Sequence, residues 1–144
     1  MRTENNVTLF LVDDDAVLLK AMEIEFINAG GYNIKTFPTG EQCLENIFYR
    51  PDVVVLDYHL DGITPGAMNG IDTLDKIKAF DPGIHVIMLS SQDKIDVAIN
   101  CMHHNALDYV IKSETAFLRI QKIITAVMAY QKMRGELNWY MERM

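Results

Sequence analysis

Five short runs of aliphatic and β-branched residues punctuate this sequence, and each is followed by a longer stretch with helical spacing. The short runs are Val7–Val12, Tyr32–Phe37, Val53–Leu56, His85–Leu89 and Leu107–Ile111. After the first, Val17, Leu18, Ala21, Met22, Ile24 and Ile27 mark one helix, closed by Gly30 and Gly31 as a C-cap. Thr39-Gly-Glu-Gln42 fits a capping box and predicts a helix through Phe48. A third helix is expected over Gly70–Phe80, stopped by Asp81-Pro82-Gly83. A fourth is expected from Asp93 to about Asn105. A fifth begins near Ser113, with Phe117, Ile120, Ile124 and Val127 on its apolar side. Strand and helix alternating in this way mean parallel strands joined by crossover helices. Val53-Val-Val-Leu56 is apolar without interruption, as expected of a strand covered on both faces. The fold class is therefore α/β, a doubly wound five-stranded parallel sheet with helices on both faces.

The remaining features bound the function. The chain has 144 residues, enough for one domain with a core of its own. Its net charge of −7 argues against direct binding of a nucleic-acid backbone, which needs excess Lys and Arg. Cys43 and Cys101 form no paired motif and read as reduced thiols of a cytoplasmic protein. No signal-peptide pattern opens the sequence, and no apolar run approaches membrane-spanning length. Residues 1–130 read as the domain. Residues 131–144 read as a helical extension or the start of a linker.

Polar residues gather where these strands end. Asp13, Asp14 and Asp15 follow the first strand, Asp57 ends the third, Ser90 and Ser91 end the fourth, and Lys112 ends the fifth. Open α/β sheets place ligands at this carboxyl edge. Carboxylates brought together there repel one another unless a cation sits among them, and an all-oxygen set suits Mg²⁺. A carboxylate is also a competent nucleophile toward phosphorus. A metal, a lysine and a hydroxyl are the expected stabilisers of the transferred group.

Leu11-Val-Asp-Asp-Asp15, Val54-Val-Leu-Asp57, Val86-Ile-Met-Leu-Ser90-Ser91 and Asp108-Tyr-Val-Ile-Lys112, in this order and at these separations, resemble the receiver domains of two-component response regulators. The resemblance spans about residues 7 to 130 and implies a flavodoxin-like sheet in the order 2-1-3-4-5. It implies that Asp57 accepts a phosphoryl group from a sensor histidine kinase or a histidine phosphotransfer protein. Asp13, Asp14, Asp57 and the main-chain carbonyl of His59 would hold Mg²⁺. Lys112 would pair with the phosphoryl oxygens, and Ser90 would swing in to hydrogen-bond them. Tyr109 would turn inward on activation, changing the surface made by the fourth helix, fifth strand and fifth helix, through which a homodimer could also form. His59 and Gln92 would tune the lifetime of the phosphate. On this reading the protein is a signalling phosphoacceptor, not an enzyme acting on other substrates.

Two departures stand out. Ser113 replaces the proline that usually follows the lysine, so a trans peptide is expected there. The loop at 61–69 is longer than usual beside the site.

Simpler readings apply to several residues. Asp15 is expected to cap the first helix, and Ser91 to leave room rather than bind. His103 and His104 are adjacent and share no helix face, so a surface role is expected. Two rival functions share the motifs. Asp13-x-Asp15-Ala-Val17 fits the start of haloacid-dehalogenase-type phosphatases, with Asp13 as nucleophile, but leaves Asp57 unexplained. A pseudo-receiver would keep the fold and bind partners without phosphorylation.

Overall fold

The computed structural model describes residues 6–62 and 66–144. Five strands, β1 (Val7–Val12), β2 (Tyr32–Phe37), β3 (Val53–Asp57), β4 (His85–Ser90) and β5 (Asp108–Ile111), alternate with five helices. The helices are α1 (Ala16–Ala29), α2 (Gly40–Glu45), α3 (Gly70–Phe80), α4 (Ile95–His103) and α5 (Ala116–Arg143). The strands are all parallel, in the order β2-β1-β3-β4-β5. This is the doubly wound arrangement that the alternation predicts.

Alternate strand residues point to opposite faces, and the core divides accordingly. Phe10, Val12, Val54, Leu56, Val86 and Met88 pack with Leu74 and Ile77 of α3 and Cys101 of α4. Leu9, Leu11, Val53, Val55, Ile87, Leu89 and Val110 pack with Met22 and Phe26 of α1 and Ile120 and Ile124 of α5. Every residue of β3 is buried, including its last, Asp57. Thus β1, β3 and β4 are all covered from both sides, and β3 is buried along its whole length.

Local chemistry explains the helix ends. Asp15 caps α1, accepting from the amides of Val17 at 3.0 Å and Leu18 at 3.2 Å. Thr39 Oγ1 accepts from Gln42 N at 3.1 Å and caps α2. That helix is shorter than its pattern suggests. The Asn46 side chain donates to the Gln42 carbonyl at 2.9 Å, and a short 3₁₀ turn over Ile47–Tyr49 follows. Arg50 then adopts a left-handed conformation, φ 52°, immediately before Pro51. α4 begins at Ile95 rather than Asp93, after a Lys94 cap that offers no side-chain oxygen. α5 runs 28 residues without interruption, although Gly135 lies within it. None of the helices among the described residues is long and apolar enough to cross a membrane.

Candidate functional site

The carboxyl edge of the sheet brings together residues from four strands. Asp57 ends β3 and Asp13 follows β1; both are almost fully buried. Lys112 follows β5, and its Nζ lies 3.1 Å from Asp13 Oδ2 and 3.2 Å from Asp57 Oδ1. One oxygen from each of Asp13, Asp14 and Asp57 falls within 4.8 Å of the others. Two backbone amides hold the carboxylates in place. Asp15 N donates to Asp13 Oδ1 at 2.9 Å, and His59 N donates to Asp57 Oδ1 at 3.3 Å.

One cation facing three acids leaves negative charge in excess. Burial, together with the Asp13 charge, pushes the Asp57 carboxyl up to about 7, against the opposing pull of Lys112. Lys112 itself is raised: burial works to lower it, but the charges of Asp13 and Asp57 prevail. Asp13 Oδ2 is buried and has no hydrogen bond of good geometry, although it faces Lys112. An under-satisfied buried carboxylate beside two others, with oxygen as the sole donor type, fits a hard divalent cation such as Mg²⁺.

The fourth strand supplies the hydroxyl. Ser90 is fully buried, its Oγ accepts from Gln92 N at 3.1 Å, and its carbonyl accepts from Lys112 N at 2.7 Å. The last bond ties the end of β4 to the lysine-bearing end of β5. Tyr109 packs against the buried cluster that includes Met88 and donates its hydroxyl hydrogen to the Gln92 carbonyl. The Gln92 side chain meets His59: their Nε2 atoms are 2.8 Å apart. A glutamine amide donates to a ring nitrogen without a proton, so this contact needs the Nδ1–H tautomer of His59. Both residues stand out in the sequence, but their contact does not, because it joins loops after different strands.

Gly70 is a positioning residue whose spatial reason the sequence does not reveal. A Cβ there would lie 2.5 Å from the Asp57 carbonyl and 2.8 Å from Tyr58 Cα. Only glycine lets the start of α3 come so close to the end of β3, with Gly70 N donating to Tyr58 O at 3.1 Å. Residues 63–65 of the long loop lie outside the described residues; on its far side, Met68 N donates to Glu41 Oε2 at 3.0 Å, tying it to α2. No described peptide bond is cis, so Lys112–Ser113 is trans as expected, and Lys112 still reaches both carboxylates.

Residues 9–125 match the family model of the response regulator receiver domain. The chain belongs to the response regulator receiver family. The receiver is 33% identical over 113 residues to the transcriptional regulatory protein ZraR of Escherichia coli O157:H7, covering 76% of this chain and 24% of that one. It is 32% identical over 122 residues to the probable transcriptional regulatory protein TcrX of Mycobacterium tuberculosis, covering 82% of this chain and 50% of that one. The chain thus spans a quarter to a half of these relatives. Among solved structures it resembles the BeF3-activated DrrB receiver domain, with TM-score 0.69 and 28% identity over 83% of this chain and 98% of that one. It also resembles a chain of the CheX–CheY–BeF3–Mg complex from Borrelia burgdorferi, with TM-score 0.72 and 26% identity over 85% of this chain and 89% of that one.

Proposed function

We propose that this receiver takes a phosphoryl group from a phosphohistidine onto Asp57, in a Mg²⁺-dependent reaction. The observation that carries the reading is Lys112 Nζ held between Asp13 and Asp57, at 3.1 and 3.2 Å. Asp57 Oδ1 is committed to Lys112 and to the His59 amide, which makes Oδ2 the natural nucleophile. Its attack forms a P–O bond as the P–N bond breaks, and the electron pair returns to the imidazole nitrogen of the donor. Lys112 then moves its charge from the carboxylates to the phosphoryl oxygens, and Ser90 turns its hydroxyl from Gln92 N toward the same oxygens. Mg²⁺, held by Asp13, Asp14, Asp57 and the His59 carbonyl, would keep the carboxylates ionised and neutralise phosphoryl charge.

The donor is a sensor histidine kinase or a histidine phosphotransfer protein. The receiver catalyses no reaction beyond its own phosphorylation and dephosphorylation, acts in the cytoplasm and binds no nucleic acid itself. Residues 1–130 form the phosphorylated unit and 131–144 its helical extension. The contact of His59 with Gln92 lies across the two loops next to the acceptor, and supports a role for both in admitting water to the aspartyl phosphate. Tyr109, tied to the Gln92 carbonyl, carries the change to the α4–β5–α5 surface.

Incubation with acetyl phosphate and Mg²⁺, followed by peptide mass spectrometry, tests this. One phosphoryl group on Asp57, absent from Asp57→Asn, is expected. An adduct on Asp13 with turnover of a phosphate ester would instead make the protein a phosphatase. No adduct, and no spectral response to beryllofluoride with Mg²⁺, would make it a pseudo-receiver.

A further inference from the structure

α5 outlasts the body it packs on. Its last buried residue is Ile124, and the contact of Gln131 Nε2 with His85 Nε2, at 2.6 Å, is a late tie to the sheet. Every residue from 131 onward is exposed. At 1.5 Å per residue the 28-residue helix is about 42 Å long, and its last dozen residues stand in water. An isolated helix of that length is marginal by itself.

Of the seven large apolar residues exposed from Tyr130 onward, five share one face, while Trp139 lies on the outer side and Met141 flanks the five. Tyr130, Met133, Leu137, Tyr140 and Met144 are between 58% and 101% exposed. Their spacing is three, four, three, four, which is the heptad repeat that forms a seam with another helix. The repeat runs back through Ala126 to Ile123, which packs on the core beside Val110. No charged residue falls on the seam. The positions flanking it hold Val127, Ala129, Arg134, Glu136, Met141 and Arg143. When two copies lie parallel, Ala129 meets Arg134 and Glu136 meets Met141, so no like charges oppose each other. Gly135 and Glu142 fall on the outer face, where a glycine is least harmful to packing.

We infer that the seam from Tyr130 to Met144 pairs with the same seam of a second copy of this chain, as a parallel two-stranded coiled coil. A parallel pair sets each seam residue against itself and uses all five, whereas an antiparallel overlap within this segment uses four. Ten large side chains at roughly 100 Å² each bury about 1,000 Å², the lower bound for a specific interface. The surface differs from the α4–β5–α5 face and does not depend on phosphorylation.

Sedimentation velocity on the full chain, over a range of micromolar concentrations, tests the pairing. A reversible monomer–dimer equilibrium is expected, present in Asp57→Asn as well as in the wild type. Leu137→Glu combined with Tyr140→Glu should weaken it at least about tenfold, while Gly135→Ala, which favours the helix on its outer face, should strengthen it. Leu137→Cys should form a disulfide between copies under mild oxidation, since Cys43 and Cys101 are buried and do not compete. A monomer at every concentration would overturn the inference. So would a dimer untouched by the double substitution, which would place association elsewhere, or the failure of Leu137→Cys to cross-link.

Discussion

Replacing Asp57 by Asn should stabilise the metal-free protein at alkaline pH, even though it removes one partner of Lys112. Two effects compete. Lys112, 3.2 Å away, favours the Asp57 charge; burial and the charge of Asp13 oppose it. The opposing effects prevail, because the carboxyl is pushed from its ordinary 3.8 up to about 7. Between about pH 4 and about pH 7 the folded state therefore retains a proton that the unfolded state has lost, and stability falls as pH rises through that window. Above it the penalty is fully present. About three pH units at about 1.4 kcal/mol each set a ceiling of about 4 kcal/mol. Local relaxation and the high effective dielectric of real sites reduce the expected gain in Asp57→Asn to about 1–3 kcal/mol. Urea unfolding in chelator at pH 8 should show this gain, and at pH 4 the two proteins should nearly coincide. With saturating Mg²⁺ the gap should narrow or reverse, because the wild type gains binding free energy that the variant largely forgoes. An Asn variant no more stable than the wild type at pH 8 in chelator would refute the reasoning and show that Lys112 outweighs burial and Asp13 together.

Three further outcomes are expected. Gly70→Ala places a Cβ 2.5 Å from the Asp57 carbonyl, so it should cost about 2–4 kcal/mol in chemical unfolding and weaken Mg²⁺ binding measured by titration. Leu74→Ala empties a fully buried site beneath α3 and should cost about 2–5 kcal/mol, with Mg²⁺ affinity little changed. Tyr109→Phe removes the bond to the Gln92 carbonyl, so it should cost about 0.5–1.5 kcal/mol in unfolding and shift the backbone amide resonances of Gln92 and Asp93.

The sheet and its acidic edge are legible because two periodicities and four strand ends coincide. Val53-Val-Val-Leu56 predicts a doubly covered strand, and the polar residue that follows it must then lie at the edge. Family resemblance adds the order of the strands, which alternation alone leaves open. Other features arise from contacts between segments far apart in sequence. Nothing local in Gly70 shows that a β-carbon would strike Asp57. His59 and Gln92 are 33 positions apart, and the distance between them depends on how β3 and β4 pair. The shortened α2 turns on whether Asn46 bonds back to the Gln42 carbonyl, a choice that propensity does not decide. The length of α5 is half legible: its heptad spacing is in the sequence, while Gly135 argues locally for an earlier end.

Gln92 has a consequence that reaches past the site. Its amide holds Ser90, its carbonyl holds Tyr109 and its side chain holds His59, so one residue is a junction of three wires. A serine that turns toward a phosphoryl group must let go of the first, and the other two then hang from a loosened post. Each neutral bond is worth only about 0.5–1.5 kcal/mol, so the resting position is a shallow one. A latch this light is easily thrown by a modification, and it also slips now and then by itself. The unmodified receiver should therefore sample the released arrangement as a minor population, seen as exchange broadening of the Gln92 amide resonance.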